Sequence, residues 1–292
     1  MAETLTAGRL RLVPPGGVGR LSLAATLAVL EYCALSYRRN WRGTLFMTFF
    51  SPILFLGAMG FGLGSFVNTG ATSGAAGVGG GGATAAAVGA VGYAAFLAPG
   101  LLAATCMQTG AFEATYPIMA RLIWTKVYHA MLATPIAVID VVAGQLSWFA
   151  IRLTLVATAY FVVMLGFGLI HGGPLALLVI PIGVLTGLCF SAPIAAFAAT
   201  QNNDNGFSVI FRFLVTPLFL FSGTFFPIEQ LPAFLRPIAL ITPTYHGVQV
   251  TRDLTLGTAQ LAPTLFHVAY LILTVIAGIL ACRITFGRAL IK

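Results

Sequence analysis

The chain has 292 residues, of which 59% are hydrophobic and only 8% are charged, with a formal net charge of +8. A soluble domain carries about 25% charged residues on its surface, so a water-soluble enzyme or binding module is excluded. Intrinsic disorder of the whole chain is excluded too, because disorder requires low hydrophobicity and high charge. The composition predicts an all-α integral membrane protein.

The positive net charge does not indicate a nucleic-acid partner, because the cations are spread along the chain rather than clustered in one patch. Membrane lipid is the partner that this composition predicts. The four cysteines (Cys33, Cys106, Cys189, Cys282) form no CxxC pair, so we predict small packing residues and no metal site.

Two segments precede the first long apolar run. Residues 1–20 are predicted to be a disordered cytoplasmic tail, and residues 21–42 an amphipathic interfacial helix whose cations lie against anionic headgroups. Four apolar residues of this helix share one face: Leu23, Leu27, Leu30 and Ala34. Alternatively, the apolar run is the core of a signal peptide, although Glu31 interrupts it and no clear cleavage site follows.

The apolar stretches predict the membrane crossings. Residues 43–112 contain no charged residue, which is too long for one crossing because about 20 apolar residues suffice. Residues 70–82 within that stretch contain seven glycines in thirteen positions and cannot hold a helix. A second uncharged stretch, 153–203, is broken by the sequence HGGP at 171–174. We predict a six-span domain over residues 43–284, with spans at about 43–66, 88–111, 150–170, 175–199, 207–226 and 262–282.

The distribution of cations predicts the orientation of these spans. Thirteen of the fifteen Lys and Arg residues fall on one side of the six-span plan, and only Arg236 and Arg252 fall on the other. The positive-inside rule then places both termini in the cytoplasm, including a tail over residues 285–292. With no evident cleavable signal, this pattern suits a multi-pass protein of a bacterial inner membrane.

The sequence lacks the motifs of an enzyme. Lys126 and Lys292 are the only lysines and neither follows a glycine, so the chain has no phosphate-binding loop for ATP. We expect no catalytic residues and no cofactor in this chain. The predicted span interiors also contain no charged residue, which disfavours a carrier driven by an ion gradient. Energy for uphill transport would then come from a separate subunit.

Residues 112–149 form a connection that is too apolar for a solvated loop and too charged for a span. Thr134 and Pro135 predict a helix start, with the hydroxyl as the cap and proline in the first turn. The following piece, 135–142, would expose apolar side chains at the cytoplasmic face, which is typical of a docking site. Alternatively, this piece packs on the protein's own helices.

Residues 222–254 form the second unusual segment. Four prolines (Pro227, Pro232, Pro237, Pro243) exclude a continuous spanning helix, although most residues between them are apolar. We predict a re-entrant outer hairpin between spans five and six, with helices at about 229–239 and 243–254. Four charged residues are expected at its solvated rim: Glu229, Arg236, Arg252 and Asp253.

The string FSGTFFPIEQLPAFLRPIALITPTYHGVQVTRDL at 221–254 resembles the signature of type-2 ABC exporter permeases. Within that family it most resembles the nodulation-factor and daunorubicin-resistance permeases, and residues 129–148 resemble their cytoplasmic segment. The glycine-rich first outer loop departs from the family pattern. The matching elements are Phe221-Ser222-Gly223, Phe226-Pro227, Leu231-Pro232, Pro243, His246 and Arg252.

The resemblance implies an assembly in which two six-span permeases, identical or sister chains, pair above two ATPase subunits that bind ATP and Mg. It also implies two functional segments in this chain. The implied coupling residues are Thr134, Pro135, Ile136, Ala137, Val138, Ile139 and Asp140. The implied residues of the re-entrant gate are Phe226, Pro227, Leu231, Pro232, Pro243, His246 and Arg252.

Substrate is expected to cross between the two permeases, along a seam of the first, second and fifth spans. An uncharged seam suits a hydrophobic drug or a lipid-linked glycan, whereas the alternative is that these side chains face lipid or pack between helices. The candidate seam residues are Phe46, Phe49, Phe50, Met107, Phe213, Phe219 and Phe225. Two other functions stay open: an ion-coupled carrier or channel without an ATPase, and a membrane anchor or assembly factor.

Overall fold

A computed structural model describes residues 21–39, 41–58 and 92–291. Within these ranges the chain is helical and contains no strand, as the composition predicts. The α-helices are α1 (Leu23–Arg38), α2 (Trp41–Phe55), α3 (Tyr93–Glu113), α4 (Tyr116–Met119), α5 (Val127–Leu132), α6 (Val138–Gly166), α7 (Val179–Ala198), α8 (Asn205–Phe221), α9 (Arg236–Ile241), α10 (Pro243–Leu256) and α11 (Leu261–Leu290).

The helix α7 lies at the centre of the described bundle and packs against α3, α6 and α11. Glycines allow its backbone to approach its neighbours closely. A Cβ atom on Gly110 of α3 would lie 2.5 Å from the carbonyl oxygen of Gly187 in α7, and one on Gly187 would lie 2.5 Å from Leu153 of α6. These close crossings fix the relative positions of three helices.

Four helical stretches of the described residues are long and apolar enough to cross a membrane: Ala94–Trp124, Val138–Gly166, Gly173–Ala198 and Leu261–Leu290. They correspond to the second, third, fourth and sixth predicted spans, and the chain is a multi-pass membrane protein. The fifth predicted span is the shorter helix α8, which contains π-helical geometry over Phe211–Val215. Only part of the first predicted span is described, so the count of six stays a prediction.

Several predicted boundaries differ from the observed ones. The third span was expected from about residue 150, but α6 begins at Val138 because Asp140 caps its first turn. The last helix continues to Leu290, so most of the predicted tail 285–292 is helical. The predicted tail 1–20 and the glycine-rich stretch 70–82 lie outside the described residues.

The outer segment, residues 222–254, is only partly as predicted. The expected helix over 229–239 is wrong: a 3₁₀ turn at Ile228–Gln230 and the short α9 occupy this region. Prolines at 232 and 237 explain the break, since proline starts helices but interrupts them inside. The second expected helix, 243–254, is observed as α10. Re-entry of this segment into the membrane stays a prediction.

Candidate docking surface, outer hairpin and aromatic seam

The connection between α3 and α6 presents a set of exposed side chains between residues 124 and 135. It consists of α4, a π-helical turn at Ala120–Trp124, α5 and a short loop. Lys126 adopts left-handed backbone geometry (φ 51°), which turns the chain between the two helical pieces. We call the exposed set the docking surface: Trp124, Thr125, Lys126, His129, Ala130, Ala133, Thr134 and Pro135.

Only part of the predicted coupling segment belongs to this surface. Thr134 and Pro135 are exposed, Ile136 and Ile139 are half-buried, and the other three residues are buried: Ala137, Val138 and Asp140. The expectation that Thr134 caps the following helix is wrong, because its hydroxyl donates to the carbonyl of Met131 at the end of α5. The exposed surface therefore begins ten residues before the predicted segment, at Trp124.

Asp140 has an internal role in the structure. It is 1% exposed, and its carboxylate accepts hydrogen bonds from the backbone N–H groups of Ala137 (3.0 Å) and Ser22 (2.7 Å). The first bond closes the initial turn of α6, and the second anchors the residue that precedes α1. Asp140 thus joins the N-terminal helix to the start of a membrane-crossing helix.

The helix α1 packs along α6 with one face and leaves its other face open. Val29 is buried against Gly144, where an added Cβ atom would lie 2.7 Å from the valine side chain. Of the four residues predicted to share the outer face, Leu23, Leu27 and Ala34 are exposed, whereas Leu30 is half-buried and packs against the core. This arrangement of an apolar outer face is typical of an interfacial helix.

A buried polar network connects α1, the docking surface and α6. The side-chain oxygen of Gln145 accepts hydrogen bonds from Arg121 (2.6 Å) and from the hydroxyl of Tyr128 (2.9 Å). Arg121 also lies 3.4 Å from the sulfur of Cys33 in α1. Burial raises the pKa of Tyr128, so its hydroxyl remains a donor at neutral pH. These hydrogen bonds link the connection and α1 to α6.

The expectation that Arg252 lies at a solvated rim is wrong. Its side chain is buried in α10, at 8% exposure, and its guanidinium carbon lies 3.8 Å from the ring centroid of Phe96 in α3. It donates to the backbone carbonyl of Gly223 at 2.7 Å. Of the other rim residues, Glu229 and Arg236 are exposed and Asp253 is half-buried. Arg252 therefore ties the outer segment to the bundle.

His246 connects the outer segment to the last helix. Its Nδ1 lies 2.6 Å from Nδ1 of His267 in α11, a partner that sequence spacing gave no reason to expect. Among the described residues, no three His, Cys, Asp or Glu side chains lie close enough to hold a metal ion. The remaining predicted gate residues comprise buried Leu231, exposed Pro232, and half-buried Phe226, Pro227 and Pro243.

The candidate seam residues divide into three groups. Phe46, Phe49, Phe50 and Phe213 are exposed, with Phe213 at 78%. Phe219 and Phe225 pack against each other and against Phe55, with ring centroids 5.3 to 6.5 Å apart. Met107 is fully buried and its sulfur lies 3.0 Å from the Thr244 hydroxyl. Its assignment to an open seam is therefore wrong in this conformation.

Sequence reasoning missed an ion pair between two membrane-crossing helices. The Nε atom of Arg152 donates to a carboxylate oxygen of Glu113 at 3.0 Å, and both side chains are largely buried. We expected Arg152 at a cytoplasmic boundary, yet it lies in the middle of α6 because that helix begins at Val138. The pair borders a cleft of about 490 Å³ between α2, α3, α6 and α8.

Comparisons with known proteins relate the chain to a transporter family. Residues 24–256 match the family described as ABC-2 type transporter. The chain is 27% identical to Nodulation protein J of Rhizobium leguminosarum bv. viciae over 281 residues, which cover 96% of this chain and 98% of that protein. It is 30% identical to Nodulation protein J of Bradyrhizobium diazoefficiens over 223 residues, covering 76% and 78%. The matched region includes the docking surface and the outer segment.

Proposed function

The chain belongs to the ABC-2 type transporter family and is a transmembrane permease, and from this premise we propose that it exports a hydrophobic or amphipathic substrate from the cytoplasm or inner leaflet. ATP is hydrolysed by two separate ATPase subunits, and a second permease, identical or a sister chain, completes the pathway. The complex lies in a bacterial inner membrane with both termini in the cytoplasm. The substrate class is a drug or a lipid-linked glycan.

The docking surface carries this proposal. It begins at Trp124, the last residue of one crossing stretch, and ends before the next, and it exposes Trp124 at 61% beside Lys126 and His129. An exposed tryptophan rimmed by polar residues is typical of a protein interface. Directly behind it, the network on Gln145 joins the surface to α6, so a movement of a docked ATPase is transmitted to a membrane-crossing helix.

Site-specific photo-crosslinking in intact cells tests this contact. A photoreactive amino acid in place of Thr134, which is exposed on the docking surface, should form an adduct with an ATPase subunit. The same amino acid in place of Phe234, exposed on the outer segment, is the matched control and should form none. An adduct at 234 and none at 134 would overturn the assignment of the surface.

The Glu113–Arg152 pair supports a second candidate, an ion-coupled carrier. Charged residues inside membrane spans often belong to ion pathways, and this pair lies between two crossing helices. The carrier predicts uptake or efflux by the purified chain alone, driven by a proton or sodium gradient and independent of ATP. Flux in proteoliposomes that requires both ATP and the ATPase excludes the carrier.

A further inference from the structure

Two clefts in the described bundle share one wall residue. The first, of about 490 Å³, has walls that include Gln108, Thr109, Glu113 and Arg152. The second, of about 600 Å³, lies at the junction of α1 and α2 and is lined by Arg39, Trp41, Arg42, Gly43 and Thr44. Thr44 borders both clefts. We call their combined space the cationic groove.

Arg152 has hydrogen-bonding capacity that the described residues do not use. Its side chain is 93% buried and donates from Nε to Glu113. The Tyr37 ring centroid lies 4.5 Å from its guanidinium carbon. Its Nη1 is buried without a hydrogen-bond acceptor within the described part of the chain. Buried donors in proteins are almost always satisfied, so an acceptor outside the described residues, such as a ligand oxygen or a water molecule, is expected at this atom.

The charges of the groove determine which ligand fits. Three guanidinium groups line it, those of Arg39, Arg42 and Arg152, against the single carboxylate of Glu113. A guanidinium group matches the oxygen pairs of phosphate and carboxylate. Since Glu113 occupies only Nε of Arg152 in the hydrogen bonds observed, an anionic oxygen can bind Arg152 without displacing the carboxylate.

The surface next to the groove is apolar. Phe46 and Phe50 follow on α2, are exposed, and stack with ring centroids 5.0 Å apart. A ligand whose head lies at Arg42 and Arg152 can therefore place an apolar tail along these rings. The combination of cationic groups in the groove and an apolar extension fits an amphiphile rather than a fully apolar molecule.

We propose that the cationic groove binds the anionic head of a membrane amphiphile, and that such an amphiphile is the substrate class of this permease. The inference rests on the proposed export function and narrows it. The phosphate or carboxylate oxygens accept hydrogen bonds from Arg152, while Arg39 and Arg42 supply further positive charge. The tail lies against α2, in contact with lipid.

Isothermal titration of the full chain in phosphatidylcholine nanodiscs tests the binding. The probe is dioctanoyl phosphatidic acid, with dioctanoyl phosphatidylcholine and inorganic phosphate as comparisons. Selective binding of phosphatidic acid is expected, and it should weaken by about tenfold, or ~1.4 kcal/mol, in the Glu113→Gln/Arg152→Gln double variant. This double variant removes both charges together, so neither residue is left as an unpaired buried ion.

Two further variants keep the result decisive. Arg42→Gln, at an exposed position, should weaken binding without affecting folding, and Arg288→Gln, exposed near the end of α11, should leave it unchanged. Equal binding by wild type and both groove variants overturns the proposal. Inorganic phosphate binding as tightly as phosphatidic acid also overturns it, since the site would then select a free anion.

A separate measurement distinguishes failure of this inference from failure of the proposed function. ATP-driven flux of the same amphiphile is measured in proteoliposomes that contain the ATPase. Flux that needs ATP but is unaffected by the groove variants contradicts only the inference. Selective binding without any ATP-dependent flux contradicts the proposed function and leaves an anionic-lipid site.

Discussion

Replacement of Asp140 by Asn tests whether this residue is an internal anchor or a contact for the ATPase. The carboxylate accepts two backbone hydrogen bonds, at 2.7 Å and 3.0 Å, in a buried position. Hydrogen bonds to charged groups contribute about 1.5–3 kcal/mol each. An Asn side chain can preserve one bond as a weaker neutral one, but its NH₂ group then faces the other N–H donor. We expect a loss of about 2–4 kcal/mol in unfolding free energy.

Thermal unfolding and hydrogen exchange measure this effect. The Asp140→Asn protein should melt at a lower temperature, and the Ser22 amide should exchange faster because its acceptor is weakened. Asp204→Asn removes the same charge from an exposed turn and should change neither quantity. Unchanged melting and unchanged Ser22 exchange in Asp140→Asn, together with lost ATPase stimulation, would refute the anchor role and support direct docking.

Two further predictions concern packing in the bundle. Gly110→Ala should lower the melting temperature, since the new methyl would lie 2.5 Å from the Gly187 carbonyl oxygen. Gly287→Ala is the control and should be neutral, because nothing lies within 4 Å of its added Cβ. Equal melting temperatures of the two variants would contradict the close crossing of α3 and α7. Arg252→Lys should also destabilise the protein and increase proteolysis near residues 222–224, because Lys cannot retain both the hydrogen bond to the Gly223 carbonyl and the ring contact. Unaltered cleavage there would show that Arg252 does not hold this segment.

The sequence was sufficient to predict the elements whose signal is local. Long apolar runs predict the crossing helices near 88–111, 175–199 and 262–282, because about 20 consecutive apolar residues are long enough to cross the membrane. Pro243 predicts the start of α10, because the N–H group that proline lacks would have no intrahelical acceptor in the first turn. The family resemblance is confirmed by the match over residues 24–256.

Features that depend on distant contacts could not be predicted in this way. The family resemblance implies that Asp140 is a coupling residue, but its hydrogen-bond partner Ser22 is 118 residues away in sequence. Arg252 was placed in solvent, and its burial depends on the Phe96 ring and the Gly223 carbonyl. A charged residue in a short amphipathic segment is normally solvated, and only tertiary packing reverses that expectation.

The ion pair illustrates the same point for the candidate site. Glu113 ends one apolar stretch and Arg152 precedes the next, so each resembled a boundary residue. In the structure α6 begins at Val138, so Arg152 lies in the middle of a helix and pairs with Glu113 of α3. Helix boundaries are the features that sequence patterns predict least well. Because the third span is predicted to start at about residue 150 rather than at Val138, the sequence does not predict this pair.

Purification of the tagged chain from its native membrane in mild detergent, with quantification of co-purifying proteins and of ATP hydrolysis, tests the central claim most directly. We predict comparable molar amounts of a protein that carries the GxxxxGK[ST] motif, and ATP hydrolysis that falls when Trp124, exposed on the docking surface, is replaced by Ala. Phe234→Ala, exposed on the outer segment, is the control and should leave hydrolysis unchanged. Recovery of the intact chain alone across several detergents, with gradient-driven flux in its purified form, would contradict the account.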